Sequence, residues 1–169
     1  MANTLRGERV TLRPITLEDA PRLAEIAAEP EIAHWWHGLT ENDLRDKAGP
    51  DEEATVFVIE ESGDVIGLVE ATEESEPDYR HAGIDLFVTA ARQGQGLGAD
   101  AIRALARHLF EDRGHHRITI DPAVANERAI RAYERVGFKR VGIMRRYERG
   151  VDGEWHDGLL LDLLPEEMT

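Results

Sequence analysis

The chain contains no cysteine. That one absence excludes disulfides, thiolate metal sites and a cysteine nucleophile together. No apolar run approaches the roughly 20 residues needed to cross a bilayer. The N-terminus lacks a charged segment followed by an apolar one, so no signal peptide is expected and a cytoplasmic location fits best. Positive charge is scarce. Lys and Arg number 20 against 34 Asp and Glu, for a net charge of -14. Nucleic acid is therefore not an expected partner, because binding it rests on neutralising phosphates with cations. Linkers, repeats and low-complexity tracts are missing as well. Residues 1–169 read as a single domain, and 41% hydrophobic residues suffice for a real core. Both a monomer and a homodimer are compatible with this composition.

The acid is unevenly placed. From Asp51 to Arg80 there are eleven Asp or Glu and one Arg. Such a run suits a solubilising surface. It also suits a field that attracts a polycation, provided the segment borders a binding site.

The stretch from Val88 to Gly98 joins a strand-like run, Ile84 to Val88, to a helix-like run, Asp100 to Phe110. Gly94, Gly96 and Gly98 alternate through it and leave backbone N–H groups uncovered. At a helix start four N–H groups lack an intrahelical partner and the dipole is positive. An anion such as a pyrophosphate suits that place, although a flexible turn without a ligand has the same local pattern. The phosphate loop of nucleotide hydrolases is excluded, since Ala99 and Asp100 stand where Lys and Ser or Thr are required. The dinucleotide fingerprint is excluded too, because the spacing is GxGxG and lies deep in the chain.

The remaining elements follow from periodicity and punctuation. Arg9 to Arg13 alternates as a first strand. Thr16 with Asp19 forms a capping-box-like start, and Pro21 sits in the first helical turn. Leu23, Ile26 and Ala27 make one apolar stripe, which Pro30 ends. Thr40 and Asp43 cap a second short helix through about Lys47. Thr55–Glu60 and Val65–Ala71 read as a hairpin about Ser62-Gly63-Asp64. An acidic loop is expected from Thr72 to Asp78, then a strand from Ala82 to Val88. After the glycine loop, Ile102, Leu105, Ala106 and Leu109 share a helix face. Arg117 to Asp121 is a strand stopped by Pro122. Asn126 caps a helix whose inward face is Ala129, Ile130, Tyr133 and Val136, with Gly137 as a left-handed cap. Lys139–Arg149 and Trp155–Leu163 read as a closing hairpin. The order β-α-α-β-β-β-α-β-α-β-β indicates an α+β fold built on one mixed sheet.

Gln93-Gly94-Gln95-Gly96-Leu97-Gly98 resembles the (Arg/Gln)-x-x-Gly-x-(Gly/Ala) motif of the GNAT superfamily, the acyl-CoA-dependent N-acyltransferases. The strand Arg117–Asp121 and the helix from Asn126, with Tyr133 and Gly137-Phe138, resemble its next block. The element order agrees along nearly the whole chain. Within that superfamily the chain is similar to aminoglycoside 6'-N-acetyltransferases. The matches are Ile32-Ala33-His34-Trp35-Trp36-His37-Gly38, Gly83-Ile84-Asp85, Thr119-Ile120-Asp121-Pro122, and the Asn126 to Phe138 block.

The resemblance implies a GNAT fold, a mixed twisted sheet with splayed central strands and flanking helices. It implies acetyl-CoA as cofactor, with coenzyme A as product, and a cationic small-molecule amine as acceptor, acetylated by direct transfer in a ternary complex. Backbone groups near Phe87 and Val88 would hold the pantetheine arm, with the Val88 N–H polarising the thioester carbonyl. The loop Gln93, Gly94, Gln95, Gly96, Leu97, Gly98 and Ala99 would bind pyrophosphate, and Asn126 and Ala129 would border the cofactor. Tyr133 would protonate the departing thiolate, its ordinary pKa near 10 being roughly matched to a thiol's; an apolar helix face also suits a packing tyrosine. Asp85 and Asp121 are acids beside the splay, where an acid is costly unless paired or functional. Asp85 would orient or deprotonate the amine. Asp121 would anchor a substrate ammonium, though a turn residue before Pro122 reads the same way. Glu70 is a reserve base. Trp35 and Trp36 would overhang the acceptor, with at least one of them in the core. The histidine pairs at 34 and 37 and at 115 and 116 lack a third clustered ligand, so no metal is expected. N-termini of peptides or a polyamine are the alternative acceptors, and an acyl-CoA-binding module without activity is the alternative to an enzyme.

Overall fold

A computed structural model describes residues 3–51 and 53–169. Glu52 of the acidic stretch, and Met1 and Ala2 at the N-terminus, lie outside the described residues. The elements are β1 (Leu5–Arg6), β2 (Thr11–Pro14), α1 (Ala20–Ala27), α2 (Pro30–Ala33), α3 (Glu41–Lys47), β3 (Ala54–Glu61), β4 (Asp64–Glu74), β5 (His81–Val88), α4 (Leu97–Glu111), β6 (Ile118–Ile120), α5 (Glu127–Val136), β7 (Lys139–Arg149) and β8 (Trp155–Leu163). The eight strands form one sheet in the order β1-β2-β3-β4-β5-β6-β8-β7. Every neighbouring pair is antiparallel except β5 and β6. The mixed sheet with flanking helices agrees with the expected α+β class.

Strand alternation builds two cores, one on each face. On β3, Phe57 and Ile59 enter the core shared with α4 and α5, while Val56 and Val58 enter the one under α1, α2 and α3. Side chains two apart share a face, so β3 is covered on both sides. On β5, Ile84, Leu86 and Val88 face the α4 side and Phe87 faces the α1–α3 side. On α4, Leu97, Ile102, Leu105 and Leu109 are buried, each contributing roughly 1.5–3 kcal/mol by leaving water.

The helix starts follow their capping residues. The Thr16 and Asp19 box is present, and the Asp19 carboxylate also takes two bonds from Arg13, at 2.8 and 2.7 Å. Pro30 does not simply end a helix. It opens the one-turn α2, because proline lacks only an N–H that the first turn leaves unpaired anyway. The expected acidic loop is shorter than its sequence suggested, since β4 continues through Glu74 and pairs with His81. Asp100, on the first turn of α4, accepts from the N–H groups of Glu8, Arg9 and Val10 at 2.9, 2.8 and 2.9 Å. Those three bonds pin the N-terminal segment to the helix that follows the glycine loop.

Candidate active site

The geometry of the site begins with which way the peptide groups of β5 point. The Thr89 N–H donates to the Ile66 carbonyl at 2.7 Å. In the pair Gly67↔Val88, the N–H and C=O of Val88 must then point away from β4. The Ala82 N–H donates toward β6, to Arg117, at 3.2 Å. By the same alternation, residues 82, 84, 86 and 88 all face the β6 side. Pairing there ends after Ala82↔Ile118 and Gly83↔Thr119, so the second half of β5, still paired with β4, has no strand partner on its other side. The expected splay lies at this point.

Close packing maintains the opening. A Cβ on Gly67 would run into the Phe87 carbonyl, so β4 and β5 approach more closely here than any other residue type allows. Three of the peptide groups facing the gap are already engaged. The Leu86 N–H donates to Asp85 Oδ1 at 3.0 Å and its carbonyl accepts from Trp36 Nε1 at 3.2 Å. The Val88 carbonyl accepts from Gln93 Nε2 at 2.9 Å. The Val88 N–H is left pointing into the gap. Phe87 differs from expectation. Its own peptide groups face β4, paired with Leu68, and only its ring reaches the gap, edge-on to Trp36 at 5.1 Å.

A cleft of about 1400 Å³ runs along this gap. It is lined by Trp35, Trp36, Asp85, Phe87, Val88, Gln93, Gly94, Gly96, Leu97, Gly98, Ala99, Asp121, Asn126, Ala129 and Tyr133. Gln95 and Glu70 do not line it. Gln95 instead offers its carbonyl to Arg9 at 2.9 Å. Gly94 and Gly96 have φ of +79° and +78°, the left-handed region that side chains rarely adopt, and Gly96 is the cap from which α4 starts. Asn126 accepts from the Ala129 N–H at 3.3 Å through Oδ1, which leaves its NH₂ for other partners. Gln93 turns its amide back onto Val88 and so ties the loop to the end of β5.

The acids of the cleft are not those of the acidic stretch. Glu73 is bound at the opposite end of β5, by Arg113 at 3.0 Å and by the buried His115 at 2.7 Å. None of the described residues of 51–80 lines the cleft. Its charge comes from Asp85 on β5, Asp121 after β6 and Glu148 on β7, with Glu31 and Glu127 at its margins. Glu148 escaped the sequence reading because it sits in a hairpin with no motif. Arg92, Arg128, Arg131 and Arg135 also border the cleft, and Arg128 Nη2 lies 3.1 Å from where a Cβ on Gly94 would be. A cation over the glycine loop is what a bound pyrophosphate needs.

Asp85 is open to the cleft, but protein surrounds it closely. Burial, followed by the charges of Glu70, Asp121 and Glu148, pushes its carboxyl up to about 7, against the weaker pull of the Leu86 N–H. Glu70 stands directly opposite it across the ladder and is held by Lys47 at 2.8 Å. Glu70 is thus a fixed charge behind Asp85 rather than a base in reserve. Tyr133 packs against the α4-side core. Burial, then the charges of Asp85 and Asp121, raise its phenol well above the ordinary value. The rough match to a thiol expected from the sequence does not hold in the resting protein.

Residues 9–139 match the acetyltransferase (GNAT) domain family. The chain belongs to the GNAT acetyltransferases. Among curated relatives, the aminoglycoside N(6')-acetyltransferase type 1 of Klebsiella pneumoniae is 34% identical over 159 residues, covering 82% of this chain and 78% of the relative. The spermidine N(1)-acetyltransferase of Escherichia coli K12 is 26% identical over 156 residues, covering 89% and 83%. Among solved structures, aminoglycoside acetyltransferase AAC(6')-Ib in complex with coenzyme A and kanamycin superposes with a TM-score of 0.77 at 30% identity, covering 94% of this chain and 96% of that one. The GNAT fold read from the glycine loop and the element order is the fold of this chain, and it is an N-acetyltransferase by family. Among the described residues, no helix is long and apolar enough to cross a membrane.

Proposed function

We propose that this GNAT acetyltransferase moves an acetyl group from acetyl-CoA to the 6'-amine of an aminoglycoside, directly and with both bound. One observation carries the reading. The end of β5, open on its β6 side, brings the free Val88 N–H, the Asp85 carboxyl with its raised pKa of about 7 and the carboxylates of Asp121 and Glu148 into one cleft. Several acids around one open site suit an acceptor with several ammonium groups. The 34% identity to an aminoglycoside N(6')-acetyltransferase supports the same acceptor.

The residues present fit acetyl-CoA. The left-handed glycines free N–H groups at the start of α4, Arg128 adds a cation, and the free amide of Asn126 and the open edge of β5 suit an amide-bearing arm. When bound, acetyl-CoA supplies the acyl group as an activated thioester. The chain's own groups do the rest. The Val88 N–H would donate to an acyl oxygen in the gap, where negative charge develops. Asp85 takes the proton from the ammonium of the acceptor, directly or through water. Tyr133 would supply the proton for a departing thiolate. Asp85 and Tyr133 assist each other: once Asp85 is protonated its charge no longer opposes ionisation of the phenol. Trp36 is fixed by Leu86 and Phe87, whereas Trp35 stacks edge-on only with His34 at 4.3 Å and forms a wall for a sugar ring.

The test is release of free thiol from acetyl-CoA with kanamycin, tobramycin, spermidine and an N-terminal peptide as acceptors. Turnover with the aminoglycosides and none with the peptide is the expected result. Absence of turnover with every aminoglycoside would sink the reading, and turnover with spermidine alone would move it to polyamines.

A further inference from the structure

Tyr147 belongs to no motif in the sequence, yet the hairpin that carries it is distorted around it. β7 and β8 pair at Met144↔Gly158 and next at Glu148↔His156, so Arg145, Arg146 and Tyr147 oppose Asp157 alone. Arg146 has φ of +49°, a left-handed conformation uncommon outside glycine. Bulges of this kind re-aim a side chain. Asp157 holds the distortion, accepting from the Arg146 N–H at 2.8 Å through Oδ1 and from the Val124 N–H at 2.9 Å through its carbonyl. Gly158 makes room for the ring, since a Cβ there would lie 2.8 Å from Tyr147 Cδ2. Across that glycine the Tyr147 hydroxyl donates to Asp121 Oδ2. The next residue on β7, Glu148, lines the cleft.

We propose that Tyr147 is a positioning residue for the amine acceptor: it grips Asp121 by one carboxylate oxygen and turns the other toward the cleft as a fixed counter-charge for a second ammonium. The proposal rests on the reading of the cleft as a polycation site. An aspartate at a strand end is free to rotate, and its like-charged neighbours Asp85 and Glu148 would drive it outward. A donor on one oxygen removes that freedom and keeps the other oxygen available. The bond also pushes the Tyr147 phenol up to about 12, with burial adding to it.

A double-mutant cycle tests this, with kanamycin and spermidine each used as acceptor. Tyr147→Phe keeps the ring over Gly158 and removes only the hydroxyl. The KM for the acceptor should rise about tenfold, the order of one hydrogen bond to a charged group. The KM for acetyl-CoA should stay unchanged, and kcat should change by less than about threefold. In an Asp121→Asn background the same substitution should change the acceptor KM little, since the counter-charge that Tyr147 holds in place is already lost. Equal effects in the two backgrounds, or a loss confined to kcat, would overturn the proposal. A second readout needs no acceptor. With ring-labelled tyrosine, NMR resolves the three tyrosines. Tyr147 should stay un-ionised at about pH 11, where a free tyrosine is largely ionised. Asp121→Asn should shrink the difference to the part that burial and the remaining charges contribute. If neither amine is turned over, the polycation reading fails, while the titration still decides whether Tyr147 holds Asp121.

Discussion

Replacing Asp85 by Asn should make the protein more stable at neutral pH, and the gain should vanish in acid. In the folded chain the Asp85 carboxyl ionises at about 7, against an ordinary 3.8. A raised value means the folded state binds the proton more tightly than the unfolded one. Between pH 3.8 and about 7 the folded state therefore carries an extra proton, and stability falls as pH rises through that window. The full difference corresponds to about 4 kcal/mol. Because Asp85 is open to solvent in the cleft, screening leaves about 1–2 kcal/mol. Urea unfolding of both forms at a series of pH values measures it directly. The two curves should converge near pH 4 and separate in favour of Asn as pH approaches 8, with a gap in melting temperature of roughly 2–4 °C per kcal/mol. Asp85→Asn should also abolish most turnover. Equal stability at every pH, or a less stable variant at pH 8, would refute the claim that burial and the charges of Glu70, Asp121 and Glu148 set the state of this carboxyl.

The same origin predicts the pH–rate profile. The acid limb of kcat/KM should lie near the Asp85 value of about 7, and Glu148→Gln should move it to lower pH by removing one like charge. A limb that stays in place excludes Asp85 as the titrating base. Tyr133→Phe should lower kcat with little effect on the affinity for acetyl-CoA; unchanged kcat removes Tyr133 from proton transfer. Gly67→Ala should lower stability by about 1–3 kcal/mol, the range for an overpacked site, and should also reduce activity because Phe87 and Val88 must shift; calorimetry and the thiol assay together check both. Asp100→Asn should cost about 2–4 kcal/mol, since the three N–H groups of Glu8, Arg9 and Val10 lose a charged acceptor, and an unfolding midpoint equal to the parent's would contradict that.

Much of this site was legible in the sequence because local chemistry and global fold agree there. The glycine loop, the Asn126 cap and the strand that ends at Val88 each carry their own signal, and Asp85, Asp121 and Tyr133 all reach one cleft. What the sequence did not show depends on partners far apart in the chain. Glu70 looks like a second base until Lys47 is seen against it. Gln93 looks like a phosphate ligand until its amide is found on Val88. The acidic run of residues 51–80 looks like the wall of the cleft, yet β4 carries Glu73 to the far end of β5. Tyr147 and Glu148 have no motif at all, because a bulge in an edge hairpin places them.

The acceptor chemistry is tested most directly by the product itself. Kanamycin incubated with the protein and acetyl-CoA should yield a single monoacetylated species, and NMR should place the acetyl group on the 6'-nitrogen. Acetylation at another nitrogen, or recovery of unmodified kanamycin while another amine is consumed, would contradict the account.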